Sequence, residues 1–127
     1  MNILVSGGVG FIGSNLVSKL FIDGFNVISL DNYSFGKKEN EIVGVKYYNL
    51  DIEDIHKIDE KIDICFHLAA QSRVQPSFEN PEESFRVNVQ GTSRVMEWAK
   101  NHNVKVIYAG SSSKHHDPSD SPYAFCQ

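Results

Sequence analysis

The sequence predicts a doubly wound α/β domain: a parallel sheet of about five strands in the order 3-2-1-4-5, covered by helices on both faces. Three observations carry that prediction. The apolar strand-type run Ile3-Leu4-Val5 passes straight into a glycine-rich turn and then into an amphipathic helical pattern. Further short runs of β-formers alternate with helical patterns, as βαβ units with right-handed crossovers require. One of these runs, Ile62 to Leu68, is apolar nearly throughout, as a strand buried on both faces must be.

The glycine turn follows the first strand. Gly8, Gly10 and Gly13 match G-x-G-x-x-G, while Gly7, Gly10 and Gly13 match G-x-x-G-x-x-G. In either register, glycine permits the tight strand-to-helix turn and lets a pyrophosphate approach the backbone. The helix N-terminus then offers free N–H groups and the positive end of its dipole to the phosphates. The fingerprint also requires an acidic residue about 20 residues further on. Asp31 meets that requirement.

The first helix is expected from Phe11 to Phe21, with Ile12, Leu16 and Leu20 on one face and Val17 and Phe21 widening it. Asp23-Gly24 ends it. Phe25 to Leu30 forms the second strand and delivers Asp31 to its carboxyl end. A carboxylate there accepts hydrogen bonds from the adenosine ribose hydroxyls and repels a 2′-phosphate. No arginine follows in Asn32-Tyr33-Ser34, which points to NAD over NADP.

Ser34 to Asn40 reads as a polar loop, with one helical turn toward Ile42. Val45 to Leu50 is the third strand, followed by Asp51-Ile52, and Glu53 to Lys61 reads as a short surface helix. The fourth strand ends in His67-Leu68-Ala69-Ala70-Gln71, where small residues leave room for a ligand. Residues 72–80 read as a loop holding Arg73, Gln75, Pro76 and Ser77. Asn80 as N-cap, Pro81 at the first helical position and Glu82-Glu83 in the first turn then open a long helix to Lys100. Its apolar face is read as Phe85, Val89, Thr92, Val95, Met96 and Ala99. Val104 to Ala109 is the fifth strand, leading into Gly110-Ser111-Ser112-Ser113. The ligand site is expected at the carboxyl edge of the sheet, where the order reverses between strands 1 and 4.

Composition narrows the function. The 127 residues suit one domain, the net charge is −4, and Lys37-Lys38 is the densest basic spot, which argues against a nucleic-acid partner. No apolar run approaches the ~18 residues of a membrane helix, and the N-terminus reads as a core strand rather than a signal peptide. Cys65 and Cys126 lack metal-ligand spacing, and Cys65 falls in a buried strand, so a reduced, cytoplasmic protein is expected. His115, His116 and Asp117 read as solvent-facing, and no metal is expected.

These motifs, in this order, resemble the extended short-chain dehydrogenases, specifically the NAD-dependent nucleotide-sugar epimerases and dehydratases. Ser6 to Ser14 resembles the family's opening, with Ser6 where Thr is common. Asp31-Asn32 resembles its ribose-binding pair and Asp51-Ile52 its adenine-contacting pair, while His67 to Gln71 is similar to the loop under the nicotinamide ribose. Asn80-Pro81 with Asn88 to Thr92 resembles the family's long helix. Ser111-Ser112-Ser113 and Ser121-Pro122-Tyr123 resemble the catalytic serine and tyrosine segments.

The resemblance implies a Rossmann-like NAD-binding domain over residues 1–127, truncated before the later strands and lacking the substrate domain. It implies Tyr123 as catalytic base and Ser111 as the bridging hydroxyl. Gly7, Gly10, Phe11, Ile12, Gly13, Asp31, Asn32, Ser34, Asp51, Ile52, Leu68, Ala69 and Ala70 would hold the cofactor. Ser112, Ser113 and Arg73 would touch the substrate, a nucleotide sugar of UDP type, and the assembly would be a homo-oligomer. Ser112-Ser113 in place of an Asp-Glu pair favours an epimerase. One departure bears on catalysis: Gln127 stands where a lysine is expected four residues after the tyrosine. An amide cannot lower a tyrosine's pKa as an ammonium does, so weak or absent turnover is expected from this stretch alone. A vestigial, non-catalytic module that binds or dimerises is the competing reading.

Overall fold

The computed structural model describes residues 1–127. Its strands are β1 (Asn2–Ser6), β2 (Asn26–Asp31), β3 (Lys46–Asn49), β4 (Ile64–His67) and β5 (Lys105–Tyr108). They form one parallel sheet in the order β3-β2-β1-β4-β5, as expected. Ser6 pairs with Leu30 on one side and His67 on the other, so the ends of the three central strands share one edge.

Alternation along the strands builds two cores. Ile3, Val5 and Val27 point to one face and pack on Val17, with Leu16 and Leu20 beside them. Leu4, Ile28, Leu30 and Cys65 point to the other face and join Val95, Trp98, Ala99 and four isoleucines, Ile52, Ile55, Ile58 and Ile62. The second core is the larger because it is closed by the long helix. Burial pushes the Cys65 thiol up to about 12, and the residue behaves as a small apolar side chain.

Helix α1 (Phe11–Ile22) ends as expected, with Gly24 at φ +87°. Its inward face is narrower than the sequence suggests. Val17 is buried, whereas Ile12 and Phe21 are exposed. Ile12 sits in the first turn, directly after the glycine turn. The segment after Asp51 is a 3-10 helix, Ile52–Lys57, rather than a surface helix to Lys61. Its isoleucines lie in the larger core.

Residues 72–80 are not a loop. They include helix α2 (Val74–Glu79). Pro76 sits in the first turn, where its missing N–H has no intrahelical role. Helix α3 (Pro81–Phe85) follows, capped by Asn80, whose Oδ1 accepts the Glu83 N–H at 3.2 Å. It runs through a π-helical turn, Arg86–Gly91, into helix α4 (Thr92–His102).

The long helix buries only part of the expected face: Val95 and Ala99 lie in the core and Thr92 is half-buried, but the rest of the inward face is rotated. Ser84, Val87, Gly91, Val95, Trp98 and Ala99 are buried, while Phe85, Val89 and Met96 are exposed. The reason is close approach at Gly91, where a Cβ would stand 2.6 Å from Ile52 Cγ2. Small residues set the contact, and a count of apolar side chains gives them no weight. Helix α5 (Pro122–Phe125) completes the described residues. No helix is long and apolar enough to cross a membrane.

Candidate active site

The glycine turn sits at the carboxyl end of β1. Gly7 has φ +78°, and its N–H donates to Leu30 O at 2.8 Å, closing the turn onto β2. A Cβ on Gly13 would stand 1.9 Å from Gly7 O, so α1 packs directly on the turn it leaves. The positive φ of Gly7 and the backbone contact of Gly13 are therefore requirements of the turn itself. Gly8 is held for another reason: Ser29 Oγ lies 2.1 Å from where its Cβ would be. At Gly10 the nearest atom to a Cβ is Gly7 O at 3.4 Å, so the space above it is open. Gly10 caps α1 with no side-chain bond. The first-turn amides, those of Phe11 and Ile12 included, thus face outward at the positive end of the helix. Both side chains are exposed beside them.

Asp31 is pinned next to this turn. Its Oδ2 accepts the Val9 N–H at 3.1 Å and its Oδ1 accepts the Tyr33 N–H at 2.9 Å. Each oxygen keeps a further acceptor position, a pair that suits a vicinal diol. The following loop folds back to hold this geometry. Asn32 Oδ1 accepts from the Ser34 N–H at 3.1 Å and its hydroxyl at 2.7 Å, and Asn40 Nδ2 donates to Val9 O at 2.8 Å. Tyr33 adopts φ +60° and donates its hydroxyl to the Glu41 carboxylate. Burial and that carboxylate raise the Tyr33 pKa, so it stays a donor.

Asp51 caps the 3-10 helix, accepting the Glu53 N–H at 3.1 Å. Its carboxylate also takes a forked pair of bonds from Arg86, at 2.8 and 2.9 Å. Arg86 holds the Asp51 carboxyl below the usual carboxylate range. Ile52 is buried in the core and packs on Gly91. Its side chain therefore belongs to the core, and its backbone is the part that borders the edge next to Asp51.

At the end of β4 a buried relay fixes the opposite wall. Ser6 Oγ accepts the N–H groups of Leu68 and Ala69, both at 3.2 Å. With its lone pairs so used, the Ser6 hydroxyl donates to His67 Nδ1 at 2.8 Å. His67 therefore carries its proton on Nε2 and donates it to Thr92 Oγ1 at 2.9 Å. Burial lowers the His67 pKa to about 4, so the ring is neutral and the relay intact near pH 7. Asn88, in the π turn, binds both the N–H and the C=O of Gln71, at 2.7 and 3.1 Å. Leu68 and Ala69 are half-buried against the glycine turn, and Ala70 is open.

The structure brings Tyr123 to Ser111, with the Tyr123 hydroxyl donating to Ser111 Oγ at 3.4 Å. Ser121 caps α5, accepting the Ala124 N–H at 3.0 Å. Ser77, fully buried in α2, accepts the Tyr123 N–H at 3.1 Å. No local pattern announces that anchor, because the bond spans 46 residues of sequence. Ser111 Oγ also accepts the Ser113 N–H at 3.1 Å, while Ser112, Arg73 and Gln127 are exposed.

A model of the NAD dependent epimerase/dehydratase family matches residues 3–124. The chain belongs to that family. Among its relatives, a protein of Methanocaldococcus jannaschii provisionally named UDP-glucose 4-epimerase is 40% identical over 115 residues, covering 86% of this chain and 37% of that protein. UDP-glucose 4-epimerase of Mycolicibacterium smegmatis is 37% identical, covering 88% of this chain and 39% of the relative. The crystal structure of Thermotoga maritima UDP-glucose 4-epimerase with UDP-glucose superposes with a TM-score of 0.90 at 33% identity, over 99% of this chain and 47% of its own. The Thermus thermophilus UDP-glucose 4-epimerase complex with NAD gives 0.83 at 30% identity, over 99% of this chain and 47% of its own. The chain thus spans less than half the length of the family members it matches. NAD is the family's cofactor. The glycine turn, the open first-turn amides and the pinned Asp31 suit its pyrophosphate and ribose.

Proposed function

We propose that this chain binds NAD along the carboxyl edge of its sheet and contributes that site to the 4-epimerisation of a nucleotide sugar of UDP type. The observation that carries the proposal is that the Tyr123–Ser111 pair stands at the same sheet edge as the glycine turn and Asp31. When bound, NAD supplies a two-electron hydride acceptor that can return the hydride. The chain's own part is proton handling and placement. Tyr123 would take the proton of the sugar hydroxyl, and Ser111 would bridge the sugar oxygen and the tyrosine. Gln127 offers hydrogen bonds but no charge, so turnover by these residues alone is expected to be slow. The unpartnered stripe Phe85, Val89 and Met96 suits pairing of the long helices of two copies. The free thiols of Cys65 and Cys126 fit a reducing, cytoplasmic setting.

Calorimetric titration tests the cofactor step. Saturable binding of NAD is expected, with NADP at least tenfold weaker because of the Asp31 charge. Asp31→Ala should weaken NAD by roughly tenfold, the scale of bonds to a charged acceptor, and abolish the preference. Tyr123→Phe should leave NAD affinity within twofold while removing any UDP-glucose to UDP-galactose conversion. Equal affinity of the unaltered chain for NAD and NADP would count against the assigned role of Asp31.

A further inference from the structure

All five N–H donors of the Arg86 guanidinium are engaged. Nη1 donates to Asp51 Oδ1 at 2.8 Å and to Glu53 Oε2 at 3.0 Å. Nη2 donates to Asp51 Oδ2 at 2.9 Å and to Glu83 Oε1 at 2.8 Å, and Nε donates to Glu83 Oε2 at 2.9 Å. Glu83, one helical turn earlier, would suffice to brace the helix. The second fork instead crosses 35 residues of sequence to reach Asp51. A cation that forks two carboxylates at once fixes the plane of each.

The consequence lies in what remains of Asp51. A carboxylate offers about four acceptor positions. Arg86 Nη1 and the Glu53 N–H, at 3.1 Å, fill Oδ1. Arg86 Nη2 takes one position on Oδ2, and Asn32 Nδ2 takes the other through a long bond of 3.4 Å. Asn32 is exposed and its Oδ1 is already bound to Ser34. That last contact is the weakest of the four and the one a ligand donor can replace. It faces Asn32, the residue after Asp31, and so lies on the cofactor side.

Resting on the reading that the chain binds NAD with Asp51 at the adenine, as the family resemblance implies, we infer that Arg86 is the positioning residue for that contact: it turns Asp51 so that one acceptor position, on Oδ2 beside Asn32, is left for the exocyclic amino group of the base. A purine with a 6-oxo group would set an acceptor against that oxygen and leave both without a donor. The site therefore selects 6-amino over 6-oxo purines, and Arg86 acts through Asp51 without touching the base. Arg86 is also the first residue of the π turn, the irregularity by which it and Asn88 reach opposite walls of the site.

The test compares NAD with nicotinamide hypoxanthine dinucleotide, which differs only in carrying the 6-oxo group, by calorimetry on the whole chain. The unaltered chain is expected to prefer NAD by roughly tenfold or more, the scale of a hydrogen bond to a charged acceptor. Arg86→Met should bring the ratio of affinities to within twofold of one, chiefly by weakening NAD. Arg86→Lys keeps the charge without the fork and should leave an intermediate ratio, and it carries the test if the methionine variant does not fold. A fall in both affinities by the same factor, with the ratio unchanged, would overturn the inference and leave Arg86 a helix brace. NAD binding with no preference in the unaltered chain would overturn it too, while leaving the NAD reading standing. No NAD binding at all removes both.

Discussion

Gly13→Ala is expected to destabilise the fold by about 3 kcal/mol or more and to abolish cofactor binding. The added methyl would stand 1.9 Å from Gly7 O and 2.8 Å from Gly7 C. Both are backbone atoms of a turn pinned to β2 by the Gly7–Leu30 bond. Nothing flexible can yield, so α1 must lift off the turn, and overpacking of this kind sits at or above the upper end of its usual range. Against a total stability of about 5–15 kcal/mol the loss is severe. Urea unfolding measures it directly. Gly10→Ala separates folding from binding at the same turn. Its methyl would meet only Gly7 O, at an ordinary 3.4 Å, so the fold should survive within about 1 kcal/mol. The methyl would occupy the open space where a pyrophosphate must approach, and NAD affinity should fall at least tenfold. A Gly10→Ala chain that binds NAD normally would show that the phosphates do not pass over that residue.

The second large effect is a loss of stability in mild acid. His67 is neutral in the fold, with its pKa lowered by burial from 6.5 to about 4. Between those values the unfolded chain binds a proton that the folded chain refuses. The contribution is therefore fully present above pH 6.5 and is lost progressively as pH falls to about 4. At about 1.36 kcal/mol per pKa unit, the loss is on the order of 3 kcal/mol. Protonation also breaks the relay, because an imidazolium has no acceptor for the Ser6 hydroxyl. His67→Gln can still accept from Ser6 and donate to Thr92 but cannot titrate. Unfolding free energies of both chains between pH 7.5 and 4 should diverge, with the unaltered protein falling the more steeply. Parallel curves would remove His67 as the source.

The parts of the site that were legible in the sequence are those whose chemistry is local. The glycine turn, Asp31 and the Asn80-Pro81 helix start each act within a few residues of themselves, so spacing alone announces them. Tyr123 and Ser111 were legible through resemblance, and the fold brings them into contact. The residues that were missed act at a distance. Arg86 finds Asp51 from 35 residues away, and Ser77 finds Tyr123 from 46. The sequence near Arg86 showed only Glu83 one turn before it, an ordinary helix-surface pair. Ser77 was hidden by Pro76, which reads as a breaker until the helix start is known to lie just before it.

By itself, then, the sequence determined the sheet order and pointed to NAD as the cofactor. Those follow from alternation of elements, strand burial and a single acidic residue, all properties of short stretches. Only the tertiary structure decided which glycines the packing requires, which face of the long helix is buried, and what holds Asp51 and His67. Each of those depends on close approach between segments far apart in the chain. The helix face follows Gly91 against Ile52 because the side chains that are absent, more than the apolar ones present, determine how near two backbones can come.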